Sequence, residues 1–299
     1  MTPAALCLES LPAQHCSAGE RGCGAIARAA VRSLYDELSL YPKPGLVSLV
    51  DNGSHDDMDA ATFMRSLFSL RRYFFRIAAA GAGGASFTEL KQLGIAAERR
   101  MLAATGGVNT HRGAIFSMGM LCAAAGRCMA LGLAPTPGAV RAALLQEWGA
   151  ALAAHAVASG ATHGLAVAAR HGASGAREEA ALGLPSVFAV ALPALRQAHA
   201  DTGCWERARI QALFALMAHV SDTNVYYRGG AAGAALVRGL AQRFLGRGGV
   251  GRADWLPYAT ACHRVFMRRR LSPGGAADLL AAACLLHRLD RDAHGEVLR

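Results

Sequence analysis

The residues of this sequence with the most reactive chemistry lie in short, glycine-containing stretches. Pro42-Lys43-Pro44-Gly45 is followed by His55-Asp56-Asp57-Met58-Asp59, then by Thr105-Gly106-Gly107-Val108-Asn109-Thr110-His111-Arg112-Gly113. Further along come Gly175-Ala176-Arg177-Glu178-Glu179, Asp222-Thr223-Asn224 running to Arg228-Gly229-Gly230, and Ser272-Pro273-Gly274-Gly275 with Asp278 behind it. A plain connection between helices needs a cap and a glycine, whereas these place carboxylate, amide and guanidinium groups side by side. Glycine-rich helix starts offer backbone N–H groups to anions, and arginine adds bidentate contacts to phosphate. Mg2+ prefers carboxylate oxygens combined with substrate phosphates and water. The pattern points to an enzyme acting on a phosphorylated substrate. Each stretch taken singly also reads as capping: Asn109 or Thr110 as an N-cap, Ser272-Pro273 as a capped start, Asp56, Asp57 and Asp59 as complements to a helix dipole. The histidines form no zinc signature, since no H-E-x-x-H occurs and His155 and His163 are eight apart.

The elements that must position these stretches are helices. Ala, Leu and Gly dominate a chain of 299 residues that is 53% hydrophobic and only 6% aromatic, with few β-branched residues. Ile26, Ala30, Leu34 and Leu38 fall at helical spacing, and Tyr41-Pro42-Lys43-Pro44-Gly45 ends that helix. A second helix is expected from near Asp57 through Phe63, Leu67, Leu70 and Phe74, with Ser54 and Asp57 as its capping box. Further helices are expected at about 87–104, 112–130, 137–157, 163–171, 185–199, 205–220, 230–245, 254–270 and 274–289. No stretch alternates as a strand, and no repeat or linker divides the chain. The expectation is all-α: a single compact domain of roughly ten or more helices over 23–299, behind a poorly ordered tail at 1–22.

Charge and cysteine usage narrow the function. The net charge of +10 suits a polyanionic partner, yet nearly all of it is Arg, with Lys only at 43 and 91, and the longest run is Arg268-Arg269-Arg270. No dense basic tract supports nucleic-acid binding. The eight cysteines form no C-x-x-C pair and read as small buried residues in a reducing compartment. The longest stretch without Asp, Glu, Lys or Arg, Trp148 to Ala169, contains His155, Ser159, Gly160, Thr162, His163 and Gly164, and suits a helix, a turn and a second helix better than a membrane span. Glu9 interrupts a weak apolar N-terminus that has no basic start, so no signal peptide is expected and the chain is placed in the cytoplasm, without membrane or nucleic-acid partners.

Six stretches in order resemble the signature of the triphosphoribosyl-dephospho-CoA synthases. They are Ser39-Leu40-Tyr41-Pro42-Lys43-Pro44-Gly45-Leu46-Val47, His55-Asp56-Asp57-Met58, Gly107 through Gly113, Asp222-Thr223-Asn224-Val225, Arg228-Gly229-Gly230 and Ser272-Pro273-Gly274-Gly275. The likeness runs from about residue 30 to 288. It implies an all-α enzyme that joins ATP to 3′-dephospho-CoA, giving 2′-(5″-triphosphoribosyl)-3′-dephospho-CoA and adenine. That product is the prosthetic-group precursor for the acyl-carrier subunit of citrate lyase or malonate decarboxylase, with overall likeness favouring the latter, and it passes to a holo-acyl-carrier-protein synthase. The sequence departs from the family at Arg112, where Lys is frequent, at Glu178, where Gly is expected, at Arg100, and at Asp56, which replaces a frequent Lys.

Such a transfer passes through an oxocarbenium-like state and needs a carboxylate to stabilise the ribose cation or accept the hydroxyl proton. By residue type, the candidate carboxylates are Asp57, Glu98, Glu179 and Asp222, with Mg2+ at Glu98 and Asp222. Lys43, Arg112, Arg177 and Arg228 are candidate phosphate partners, with Gly229 and Gly230 beside them. Asn109, Thr110, His111 and Asn224 are placed to orient ribose or base, with His111 alternatively protonating adenine. Ser272, Gly274 and Gly275 form a turn that could supply N–H donors. Two other readings compete: an all-α Mg2+-dependent hydrolase of ADP-ribose-like linkages, and a non-catalytic basic module binding RNA or an acidic protein.

Overall fold

A computed structural model describes residues 18–157 and 176–293, and these are helical, with no strand among them. The first half consists of α1 (Ala18–Leu38), α2 (Ala60–Ser69), α3 (Arg71–Ala82), α4 (Phe87–Ala104), α5 (Arg112–Ala130) and α6 (Pro137–Val157). α7 (Ala176–Ala181) leads through a π-helical stretch (Ser186–Ala191) into α8 (Leu192–Thr202). α9 (Trp205–His219), α10 (Thr223–Gly246), α11 (Trp255–Arg268) and α12 (Gly274–Ala293) follow, with a 3-10 turn at Gly249–Gly251. The all-α expectation holds for the described residues. The helix expected over 163–171 lies outside them, as do residues 1–17 of the expected tail; α1 begins at Ala18, ahead of Ile26.

Where local chemistry marks a helix end, structure and sequence coincide. Ser86 accepts from the Glu89 backbone and the Glu89 carboxylate accepts from the Ser86 N–H at 2.8 Å, a reciprocal cap that starts α4. Elsewhere tertiary contacts decide. The box expected at Ser54 and Asp57 is not formed. Asp59 caps α2, accepting from the Thr62 N–H at 2.7 Å, while the Ser54 hydroxyl donates to the Leu271 carbonyl at 2.6 Å. The one helix expected through Phe74 is two, interrupted at Leu70. α10 starts at Thr223, well ahead of the expected 230, and breaks at Gly230, whose φ of 58° and ψ of −159° only glycine holds without strain.

α5 is the central helix, with α1, α3, α4, α6 and α12 packed on it. A Cβ at Gly126 would lie 2.1 Å from the Ala78 carbonyl oxygen, and one at Gly81 2.1 Å from that of Ala123. Small residues therefore let α3 and α5 approach backbone to backbone, which an interior packed at crystal density does not otherwise allow. Among the described residues α5 alone is long and apolar enough to cross a membrane, and most of it is buried against these neighbours. The packing brings the first turns of α5, α10 and α12 to one place, beside the C-terminal end of α1.

Candidate active site

Asp222 ties two of these helix starts together. One carboxylate oxygen accepts from the Asn224 N–H at 2.9 Å, at the start of α10, and the other accepts from the Ala276 N–H at 3.0 Å, at the start of α12. Val225 and Gly275 N–H groups add to the same carboxylate. Burial raises the Asp222 pKa, and the four backbone hydrogen bonds act against that rise. A Cβ at Gly275 would stand 3.0 Å from the Asp222 carboxylate, and one at Gly274 would stand 2.9 Å from the Asn224 amide nitrogen. These glycines make room for protein side chains, and the turn's N–H groups at 275 and 276 already serve Asp222.

Next to this clamp lies a buried ionic cluster. Lys43, only 1% exposed, donates to Glu37 at 2.5 Å, and Glu37 is itself buried. Burial lowers the Lys43 pKa, opposed chiefly by Glu37. Asp278, on the first turns of α12, is half-buried and accepts from the Ala114 N–H at the start of α5. A Cβ at Gly113 would meet its carboxylate at 2.2 Å, so Gly113 is what admits Asp278 to the α5 terminus. Burial, then the charges of Glu37 and Asp222, push the Asp278 pKa well above the usual carboxylate range. Carboxylates outnumber cations here, which favours the protonated form of Asp278.

His111 closes the cluster on the α5 side. Its Nδ1 is 2.6 Å from the Ser66 hydroxyl, which also accepts from Thr110 at 2.7 Å, and its ring meets Phe63 edge-on. Burial and the Lys43 charge lower the His111 pKa to about 3, so the ring is neutral at ordinary pH. Its Nε2 is buried without a hydrogen-bond partner among the described residues.

The loop after α1 is bolted to the far helices by polar contacts. His55 Nε2 lies 2.8 Å from the Ser272 hydroxyl, and its Nδ1 lies 3.0 Å from the Arg228 guanidinium and 3.5 Å from Asp57. Arg228 also donates to the Ser54 carbonyl at 3.1 Å. Burial, then Arg228, lower the His55 pKa. His263 on α11 bridges the Lys43 carbonyl at 2.8 Å and the Asp51 carboxylate at 3.0 Å. Gly229 packs under Leu271, whose Cδ2 would lie 2.4 Å from an added Cβ.

Five of the six resembling stretches thus meet directly or through one shared partner, and the Asn109–Gly113 segment joins them through Gly113. Other candidate residues stand apart. Glu98 is bound to Arg112, a partly exposed pair on α4 and α5, with Asn109 accepting from the Arg112 N–H at 3.2 Å. Glu179 caps the π-helical stretch, accepting from the Ser186 N–H at 2.6 Å and its hydroxyl at 3.1 Å. Arg177 lies near His155 and helps lower its pKa, behind burial. Glu37, Asp278, Ser66, His55 and His263 are contributors that motif reading did not single out as site residues. Glu37 carried a signal: it lies three residues after Leu34 and one before Leu38, close to the apolar face of α1.

A family model described as ATP:dephospho-CoA triphosphoribosyl transferase matches residues 23–297. A probable 2-(5''-triphosphoribosyl)-3'-dephosphocoenzyme-A synthase of Acinetobacter calcoaceticus is 40% identical over 260 residues, covering 87% of this chain and 89% of the relative. The 2-(5''-triphosphoribosyl)-3'-dephosphocoenzyme-A synthase of Pectobacterium atrosepticum is 41% identical over 280 residues, 88% of each chain. Its counterpart from Klebsiella pneumoniae is 38% identical over 275 residues, 87% of this chain and 89% of its own. No solved structure shows significant similarity to the chain. With its motifs gathered at one set of helix starts and a family match over nearly its whole length, the chain belongs to the ATP:dephospho-CoA triphosphoribosyl transferase family.

Proposed function

We propose that the chain transfers the 5-triphosphoribosyl group of ATP to the ribose 2′-hydroxyl of 3′-dephospho-CoA. The C1′–adenine bond breaks, the bond from C1′ to the acceptor 2′-oxygen forms, and the hydroxyl proton is removed while adenine gains one. The product serves malonate decarboxylase, or citrate lyase, after a holo-acyl-carrier-protein synthase attaches it to the acyl-carrier subunit; like its small-molecule substrates, the enzyme is placed in the cytoplasm. The observation that carries this proposal is the gathering of Asp278, Glu37, Lys43 and Asp222 where the motif stretches meet.

In this scheme Asp278 accepts the hydroxyl proton, because a raised carboxyl pKa lies nearer the operating range that suits a general base. Glu37, fixed by Lys43, supplies negative charge for the ribose cation. Asp222 positions the α10 and α12 starts, and Asn224 beside it orients ribose or base. His111, neutral, acts as a hydrogen-bonding partner and not as an imidazolium acid. With the 275–276 N–H groups committed to Asp222, the triphosphate falls to side chains, with Arg228, Arg112 and Arg177 as candidates and Asp57 and Glu98 beside the first two.

Mg2+ is proposed as the counter-ion of the triphosphate. The pair assigned to it from sequence does not make a ready protein site. Asp222 has its oxygens filled by backbone N–H groups, Glu98 is bound to Arg112, and no three His, Cys, Asp or Glu side chains gather as a metal site among the described residues. No step above depends on the ion. Mass spectrometry of the protein incubated with ATP, Mg2+ and 3′-dephospho-CoA tests the proposal: adenine and a triphosphoribosyl adduct in equal amounts are expected. Adenine without adduct would assign hydrolysis instead.

A further inference from the structure

A second buried ionic cluster is built on the residue before Glu37. The Asp36 carboxylate meets three guanidiniums: Arg288 in close contact, Arg209 at 3.1 Å and Arg32 at 3.7 Å. Consecutive helical residues diverge by about 100°, so Asp36 and Glu37 leave α1 on different faces and feed different sites. Later turns of α12 bring His287 and Arg291 to the same place. Trp205, at the start of α9, closes one side, with its ring 4.4 Å from that of His287 and under the Arg291 guanidinium at 5.9 Å. Leu195 and Cys284 complete the lining of the resulting cleft, and Asp292 joins Arg291 in it.

This cleft has more donors than acceptors. Among the side chains that line it, Arg209, Arg288 and Arg291 outnumber Asp36 and Asp292 by one. Both ring nitrogens of His287 and the Nε of Arg288 are buried with no hydrogen-bond partner among the described residues. Burial, then Arg196 and Arg291, lower the His287 pKa to about 4, so the ring is neutral and offers a donor and an acceptor. Unpaired buried polar atoms are normally avoided, and here they share one cleft with guanidiniums that outnumber its carboxylates.

We propose that the cleft between Asp36, Arg209, His287 and Arg288 binds a phosphate group, at a site separate from the Glu37–Lys43 cluster. A carboxylate offers two oxygens in one plane. The donors here come from α9 and from two successive residues of α12, an arrangement suited to the tetrahedral oxygens of phosphate. A hydrogen phosphate also carries an O–H that can donate to the acceptor nitrogen of His287. The phosphate has two possible sources, a substrate's phosphate chain or free inorganic phosphate.

Inorganic pyrophosphate is titrated into the full chain and followed by calorimetry and tryptophan fluorescence, without turnover, so the result stands apart from the transfer reaction. His287→Phe keeps a ring against Trp205 while removing both nitrogens, and Arg291→Gln removes a charge near the rim. Saturable binding is expected, weakened about tenfold or more by each substitution, with both variants folded. If pyrophosphate shows no saturable binding, or if both variants bind it as the unsubstituted chain does, the site does not exist. A KM for ATP or 3′-dephospho-CoA raised in His287→Phe at constant kcat assigns the site to that substrate's phosphates. Unchanged KM values with pyrophosphate binding lost assign it to free phosphate.

Discussion

Asp36 and Glu37 are neighbours on one helix, yet the two places they reach are electrostatic opposites. Around Glu37, which is held by the buried Lys43, burial and then the charges of Glu37 and Asp222 push the Asp278 pKa well up. Around Asp36, three guanidiniums share one carboxylate, and beside them burial, then Arg196 and Arg291, push the His287 pKa down to about 4. The difference teaches that burial moves both groups toward their neutral forms, while the sign of the neighbouring charge sets what each site suits. An acid-rich site holds protons and suits a cationic transition state, whereas a cation-rich site suits an anion.

The comparison breaks most sharply at the acid-rich end. Asp278→Asn keeps the shape but removes the base, and kcat for adduct formation should fall on the order of 10²–10⁴-fold with the helical content retained. Next in size is Lys43→Met, which leaves Glu37 buried and unpaired; denaturant unfolding should show a loss of about 3–5 kcal/mol. The double replacement Glu37→Gln with Lys43→Met should recover most of that loss, though not activity. At the cation-rich end Asp36→Asn should cost less, about 1.5–3 kcal/mol, because the guanidiniums that remain are partly solvated.

The smallest effects are in pH dependence, and their signs are opposite. The folded pKa of Asp278 is raised, so its contribution to stability is full below the unfolded value and is lost as pH rises through the folded one. Thermal melts of Asp278→Asn should therefore gain on the unsubstituted chain as pH rises. The folded pKa of His287 is lowered from 6.5 to about 4, so its contribution is full above 6.5 and is lost as pH falls through that window. His287→Phe should lose less stability than the unsubstituted chain between neutral pH and the lower end of that window.

Much of this was legible from residues alone. The bounds of α4, α5 and α6 were readable because Ser86, Arg112-Gly113 and Pro137 mark their starts. The break at Leu70 was not, since neither Gly nor Pro announces it and packing alone divides α2 from α3. The motif stretches converge on one set of helix starts, while the roles proposed for individual residues depend on what faces them across the fold. Asp222 reads equally well as ligand or cap until the α12 backbone is seen to fill its oxygens. Asp278 stood out only as a carboxylate behind the Ser272–Gly275 turn, because what makes it unusual is burial beside Glu37 and Asp222, brought to it by helices far apart in sequence.

The account rests most heavily on Asp278 as the group that takes the acceptor's proton. Its direct test is the pH dependence of kcat/KM for adenine release coupled to adduct formation, in the unsubstituted chain and in Asp278→Asn. The account predicts an acid limb of unit slope that lies above the ordinary carboxylate range and vanishes in the variant together with most of the rate. An acid limb of the same position in Asp278→Asn, at undiminished rate, would contradict it.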